Sequence, residues 1–199
     1  MVIHTIGDSH SVNGWTKIQN HQVVNHHMGP ILCYSFGMNP NRININEFNI
    51  NNNDSIVFCF GEIDCRCHIH KYINILPYEK IIDNIVDNYF RSIQYNLSKL
   101  NISIKNICVY NVLPPIERYN TWENPEFPFL GNDEERKNYA LYFNKKIKEK
   151  CSENGYIFFD IYNNYIDERG FLRKELSDNN VHIGMDHGIH INNFINNYL

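Results

Sequence analysis

Apolar positions along the chain follow two periods. Short runs rich in β-branched and aromatic residues at 2–6, 31–36, 54–60, 106–112 and 156–161 predict five strands. The third, Asp54-Ser-Ile-Val-Phe-Cys-Phe60, is apolar almost throughout, as expected of a strand covered on both faces. Between the later runs the period lengthens. Over 79–100, Ile82, Ile85, Tyr89, Ile93 and Leu97 recur at three- and four-residue intervals and predict an amphipathic helix. A second helix begins at Asn132, a good N-cap, with Asp133, Glu134 and Glu135 in its first turn. It closes with Lys145, Lys146, Lys148 and Lys150, so that charge complements the helix dipole at both ends. A short helix over 192–199 ends the chain. Strands alternating with helices predict an α/β fold: a three-layer α/β/α sandwich, flavodoxin-like, with about five parallel strands and helices on both faces. No repeat or linker divides residues 1–199, so a single domain is expected. Segments 39–53 and 114–131 are irregular; the second holds four prolines and Trp122.

Composition narrows the function. A formal charge of −4 over 199 residues argues against a surface built for phosphate backbones, so no nucleic-acid partner is expected. The first residues lack a basic stretch followed by an apolar run, and nothing approaches the length of a membrane helix. A cytoplasmic protein without a membrane partner is the expectation. Cys33, Cys59, Cys65, Cys67, Cys108 and Cys151 mostly stand inside apolar runs and read as buried reduced thiols. Asn and Ile supply about 30% of the chain, which we attribute to an AT-rich coding sequence, so a lone Asn carries little functional weight.

Candidate chemistry gathers where strands end, because active sites of open parallel sheets form at the carboxyl edge. The first strand ends in Gly7-Asp8-Ser9-His10. The third ends in Gly61-Glu62-Ile63-Asp64-Cys65-Arg66. After the fifth comes Ser177-Asp178-Asn179-Asn180-Val181-His182. A Ser, a His and an Asp on such loops are the parts of an activated nucleophile. Alone, Gly7-Asp8-Ser9 reads as a strand-to-helix turn with Ser9 as N-cap.

Together these segments resemble the SGNH (GDSL-type) hydrolase superfamily, whose four blocks contribute Ser, Gly, Asn and His in that order. Gly7-Asp8-Ser9-His10 resembles the first block, with Ser9 as nucleophile. His27-Met28-Gly29-Pro30 resembles the second, whose Gly29 would offer its N–H to an oxyanion. Gly61 through Asp64 stand where the third block belongs, in a version reading Gly-Glu-x-Asp-x-Arg that Glu62, Asp64 and Arg66 match. Ile63 replaces the donor Asn there, and Arg66 is the candidate substitute. Asp178 and His182 resemble the last block, four residues apart where three is usual. Asp186 and His190 form an alternative pair with the same spacing. His182 is preferred, because it follows a polar turn while His190 alternates with Ile189 and Ile191.

The resemblance implies a serine esterase without a cofactor, acting on a small acyl ester such as an O-acetyl group on a sugar. Ser9, His182 and Asp178 would be catalytic, and Gly29, Gly61, Asp64 and Arg66 would bind the oxyanion or substrate. An O-acyltransferase or a non-catalytic binding domain on the same scaffold are the rivals. A metal-binding reading rests on Cys65, Cys67, His68 and His70, whose spacing does not match structural zinc sites and which lack a later ligand pair. The oligomeric state is not encoded in any of these features.

Overall fold

Five strands pair in parallel in the order β2-β1-β3-β4-β5: β1 Val2–Gly7, β2 Gln22–His27, β3 Ser55–Cys59, β4 Asn106–Tyr110 and β5 Ile157–Phe159. The structure is a computed structural model and describes residues 1–199, apart from the side chain of Asn120. Four helices flank the sheet: α1 Cys33–Met38, α2 Tyr78–Leu97, α3 Asp133–Asn154 and α4 Ile189–Tyr198. This strand order is the flavodoxin-like doubly wound arrangement.

Alternation along the strands builds two cores. Ile56 and Phe58 of β3 join Phe36, Tyr89 and Phe143 from α1, α2 and α3. Val57 and Cys59 face the opposite way, against Trp15 and against Ile191 and Ile195 of α4. Both faces of β3 are therefore dry, which accounts for its continuous apolar run. All six cysteines are free and buried.

The chain order reverses at β1, which lies between β2 and β3 with Gly7 opposite His27 on one side and Cys59 on the other. A reversal of this kind opens a crevice at the carboxyl ends of the strands. Gly7 keeps that crevice narrow: a Cβ there would lie 2.0 Å from the Cys59 carbonyl oxygen.

The structure departs from the sequence expectations at several elements. Residues 31–36, expected as the second strand, lie mostly in α1. The true second strand is β2, an edge strand whose Gln22, Asn25, His26 and His27 give no apolar signal. The α2 helix ends at Leu97 rather than at residue 100. The α3 helix has the expected N-cap, with Asn132 and Glu135 completing a capping box, but runs on to Asn154. Its lysines therefore sit before the last turn, which contains no base; the left-handed Gly155 closes the helix instead. The β4 and β5 strands stop two residues short of their expected ends, and α4 starts three residues early, at Ile189. Among the described residues no helix is long and apolar enough to cross a membrane.

The close approach at Gly7 yields a stability test. Gly7→Ala must push β1 from β3, and overpacking against backbone is expected to cost about 3 kcal/mol or more. Thermal unfolding should show Tm falling by roughly 6 °C or more; an unchanged Tm would mean that the strands separate without cost.

Candidate active site

The turn after β1 is built from short polar contacts. The Asp8 N–H donates to the Cys59 carbonyl at 3.2 Å, and the Asp8 carboxylate accepts the His10 N–H at 2.9 Å. Asp8, not Ser9, is thus the N-cap of the single 3₁₀ turn Ser9–Ser11. One such turn has no appreciable macrodipole, so the expected helix N-terminus beneath Ser9 is absent. Ser11 returns its hydroxyl to the Asp8 carbonyl at 2.8 Å, which closes the turn and leaves the Ser9 hydroxyl facing out of it.

The segment before α4 folds back over these strand ends. A bridge between Ser177 and Ile183 closes a tight loop, and the Asp178 N–H donates to the His182 carbonyl at 3.0 Å. Asn179 adopts a left-handed conformation, φ 65°, and so takes up the extra residue between Asp178 and His182. His182 Nδ1–H donates to Asp178 Oδ2 at 2.7 Å, and Nε2 lies 2.7 Å from Ser9 Oγ. Because Asp178 takes the Nδ1 proton, Nε2 presents a lone pair to the Ser9 hydroxyl. Burial alone would raise the Asp178 pKa, but the hydrogen bond and charge of His182, with the Asn180 and His182 N–H groups, hold it below the usual carboxylate range. Asp186 instead pairs with Lys17 at the surface, and His190 meets the Tyr165 ring edge-on at 5.2 Å. Neither comes to Ser9.

The remaining predicted residues occupy the loops around this line. Gly29 has φ 77° and open space where a side chain would project. Gly61, φ 121°, lets the chain leave β3 beneath Val112 and Phe143. It leads into a single π turn, Asp64–His68. Asp64 is fully buried and accepts the N–H groups of Cys33 and Tyr34 at 2.6 and 3.0 Å, so it caps α1 from a distant part of the chain. Burial pushes its carboxyl up to about 7 against the pull of those donors. Arg66 grips Glu62 with Nε and Nη2 at 2.8 and 3.0 Å and donates from Nη1 to the Phe127 carbonyl at 2.6 Å. The Cys and His side chains of this stretch diverge: Cys67 Sγ turns to the Ile63 carbonyl, His68 packs between Tyr34 and Tyr72, and His70 meets the Tyr139 hydroxyl.

Ser9 and His182 open into a cleft of about 250 Å³ bordered by Pro30, Ile63, Arg66 and Trp122. Trp122 is 68% exposed. Its neighbours are held: Thr121 donates to the Asn179 carbonyl at 3.1 Å, and Glu123 binds both Arg118 and the Phe129 N–H. Sequence reasoning left this loop as irregular and gave His10 no role, because neither feature has a periodic signal. The contacts that tie them to the cleft, Thr121 to Asn179 and His10 to Val181, join residues more than fifty positions apart.

No family model matches the chain, and no curated protein matches it in sequence. Solved structures do match in fold. A GDSL-like lipase from Bacteroides thetaiotaomicron superposes with TM-score 0.64 at 14% identity, over 98% of this chain and 86% of that one. This is the fold of the GDSL-type hydrolases. An aryl esterase from M. smegmatis matches with TM-score 0.59 at 12% identity, over 100% of this chain and 99% of that one. A carbohydrate acetylesterase from Sinorhizobium meliloti matches with TM-score 0.58 at 11% identity, over 98% and 96%. On this GDSL-type fold the loops after β1 and β3 and the loop before α4 carry the residues that converge on the cleft.

Glu62 and Arg66 are both nearly buried, so removing one partner strands a charge. Arg66→Ala is expected to cost about 3 kcal/mol or more in urea unfolding. Adding Glu62→Gln should recover part of that loss, whereas strictly additive losses would show that the two do not act as a pair.

Proposed function

We propose that the chain is a serine esterase of the GDSL type, with Ser9 as nucleophile, His182 as general base and acid, and Asp178 as the group that orients the imidazole. The observation that carries this reading is the unbroken line from Asp178 through His182 to Ser9, 2.7 Å at each link. Ser9 Oγ bonds to the ester carbonyl carbon as its proton passes to His182 Nε2. The N–H groups of Ser9 and Gly29 receive the oxyanion, and a guanidinium N–H of Arg66 not taken by Glu62 or Phe127 is the donor at the cleft edge, where Ile63 has none. Collapse breaks the C–O bond, and His182 gives its proton to the departing alcohol. A water deprotonated by His182 then attacks the acyl carbon, releases the acid and restores Ser9.

The cleft also bears on the substrate. Small acyl groups suit its size, and the exposed indole of Trp122 beside Asn124, Glu126 and Asn180 suits a sugar as the alcohol portion: an apolar ring face with polar groups at its rim. The likeness to a carbohydrate acetylesterase supports the same choice.

A fluorophosphonate probe should label Ser9, located by peptide mapping. Ser9→Ala is expected to lower acetyl-ester turnover by about 10⁴-fold or more. His182→Ala should abolish labelling while His190→Ala keeps it; a folded Ser9→Ala protein with full turnover would refute the assignment. Trp122→Ala should raise KM for an acetylated sugar by about tenfold, in keeping with a stacking contact of about 1.4 kcal/mol, and leave p-nitrophenyl acetate nearly unchanged. Equal effects on both substrates would remove Trp122 from sugar recognition.

A further inference from the structure

Next to the Asp178–His182 pair lies a second His–Asp pair, which the mechanism above does not use. His10 is 4% exposed and Asp8 is fully buried. His10 Nδ1 lies 3.0 Å from Asp8 Oδ1, and His10 Nε2 lies 3.2 Å from the Val181 carbonyl oxygen. The His10 and His182 rings are 4.8 Å apart. Asp8 Oδ1 already accepts the His10 backbone N–H, and a carbonyl oxygen only accepts. With Asp8 as a carboxylate, both ring nitrogens of His10 face acceptors, and both contacts are hydrogen bonds only if both nitrogens carry protons.

We propose that His10 is a positioning residue held as an imidazolium, bridging the Asp8 carboxylate and the Val181 carbonyl so that the next residue, His182, is delivered to Ser9. The inference rests on the esterase reading for its effect on turnover, but its protonation state can be read without activity.

The geometry makes two adjacent rungs between the same two loops. Ser9 meets His182, and His10 meets Val181. The first rung is a single hydrogen bond that must break and re-form during each turnover, so it cannot by itself hold the loop in register. The second rung is sheltered and takes no part in proton transfer. It is anchored from below, where Trp15 Nε1–H donates to the His10 carbonyl at 3.1 Å.

The charged groups around His10 agree with this state. Burial alone would strip its proton, but the Asp8 carboxylate, with the buried Glu62 beyond it, outweighs burial and holds His10 above the usual histidine range. Glu62 is in turn balanced by Arg66. His182 is the other titratable ring against His10. A pKa raised on folding means that the clamp is complete at and below the ordinary histidine range and is lost as pH rises through the folded value. Turnover should therefore fall on the alkaline side.

Two variants separate the contacts. In His10→Gln the amide N–H₂ occupies the place of Nε2 and retains the bond to Val181 without charge. In His10→Asn the amide lies where Nδ1 was and reaches Asp8 only. His10→Asn is expected to lower kcat by about 10- to 100-fold, the scale of a misplaced catalytic group, with KM within about twofold. His10→Gln should retain kcat within about threefold and lose the alkaline fall. Rates are normalised to sites titrated with the fluorophosphonate probe, so a loss of folded protein does not count. Imidazole ¹⁵N spectra of the wild-type protein at neutral pH should show one histidine with both nitrogens protonated, and His10→Gln should lack that signal. A neutral His10 in these spectra overturns the proposal, whether or not any ester is hydrolysed. So does a His10→Asn protein with wild-type kcat, or an equal loss in both variants. If no ester is turned over and no label is taken up while His10 is doubly protonated, the esterase reading fails and the clamp stands.

Discussion

Three carboxylates are buried under the carboxyl ends of β1 and β3, and each has to be neutralised or hydrogen-bonded where it stands. Asp8 is met by His10, Glu62 by Arg66, and Asp64 by the N–H groups of Cys33 and Tyr34. An unpaired charge at such depth would cost several kcal/mol, so these partners cannot drift away without penalty. Every partner also belongs to, or reaches, a different loop. His10 continues to Val181, Arg66 continues to the Phe127 carbonyl, and Cys33 and Tyr34 begin the helix that follows Gly29. The need to satisfy buried charge thereby fastens the Asp178–His182 loop, the Trp122 loop and the Gly29 turn around a single hydroxyl.

This arrangement explains why irregular backbone can hold a line of 2.7 Å contacts. The Asp178–His182 loop has few apolar residues, and His182 lies near the surface. The loop is held by local hydrogen bonds within the turn, by the contact of Val181 with His10, and by the burial of Val181 against Ile116 and Phe129 and of Ile183 in the core. The Trp122 segment follows the same rule. Thr121 and Glu123 are tied down on either side, and the indole between them is left in solvent beside the cleft.

Several parts of the fold were legible because their signal is local. β3 is covered on both faces and reads as a continuous apolar run; α3 carries its own capping box and reads from Asn132. β2 was not legible. As an edge strand it needs no apolar pattern, and its pairing with β1 is made by backbone groups common to every residue. The helix α1 was mistaken for a strand because it is only six residues long, without a side-chain cap of its own, and Asp64 completes its first turn from thirty positions away.

For the site, residue types and order were present in the chain itself: Ser9 after the first strand, then Gly29, then Gly61 to Arg66 after the strand at 54–60, and an Asp/His pair near the end. Two such pairs were offered by the sequence, with identical spacing. Choosing between them depends on where each loop lies relative to β1, a matter of tertiary geometry that spacing does not encode. Arg66 and His10 make the same point. A guanidinium or an imidazole has the same chemistry at any position, and its role follows from which acceptors the fold places within hydrogen-bond reach of it. Local propensity and patterning determined the apolar strands, the long helices and the inventory of reactive groups. Long-range contacts between loops, which have no periodic trace in a single chain, decided which of those groups meet.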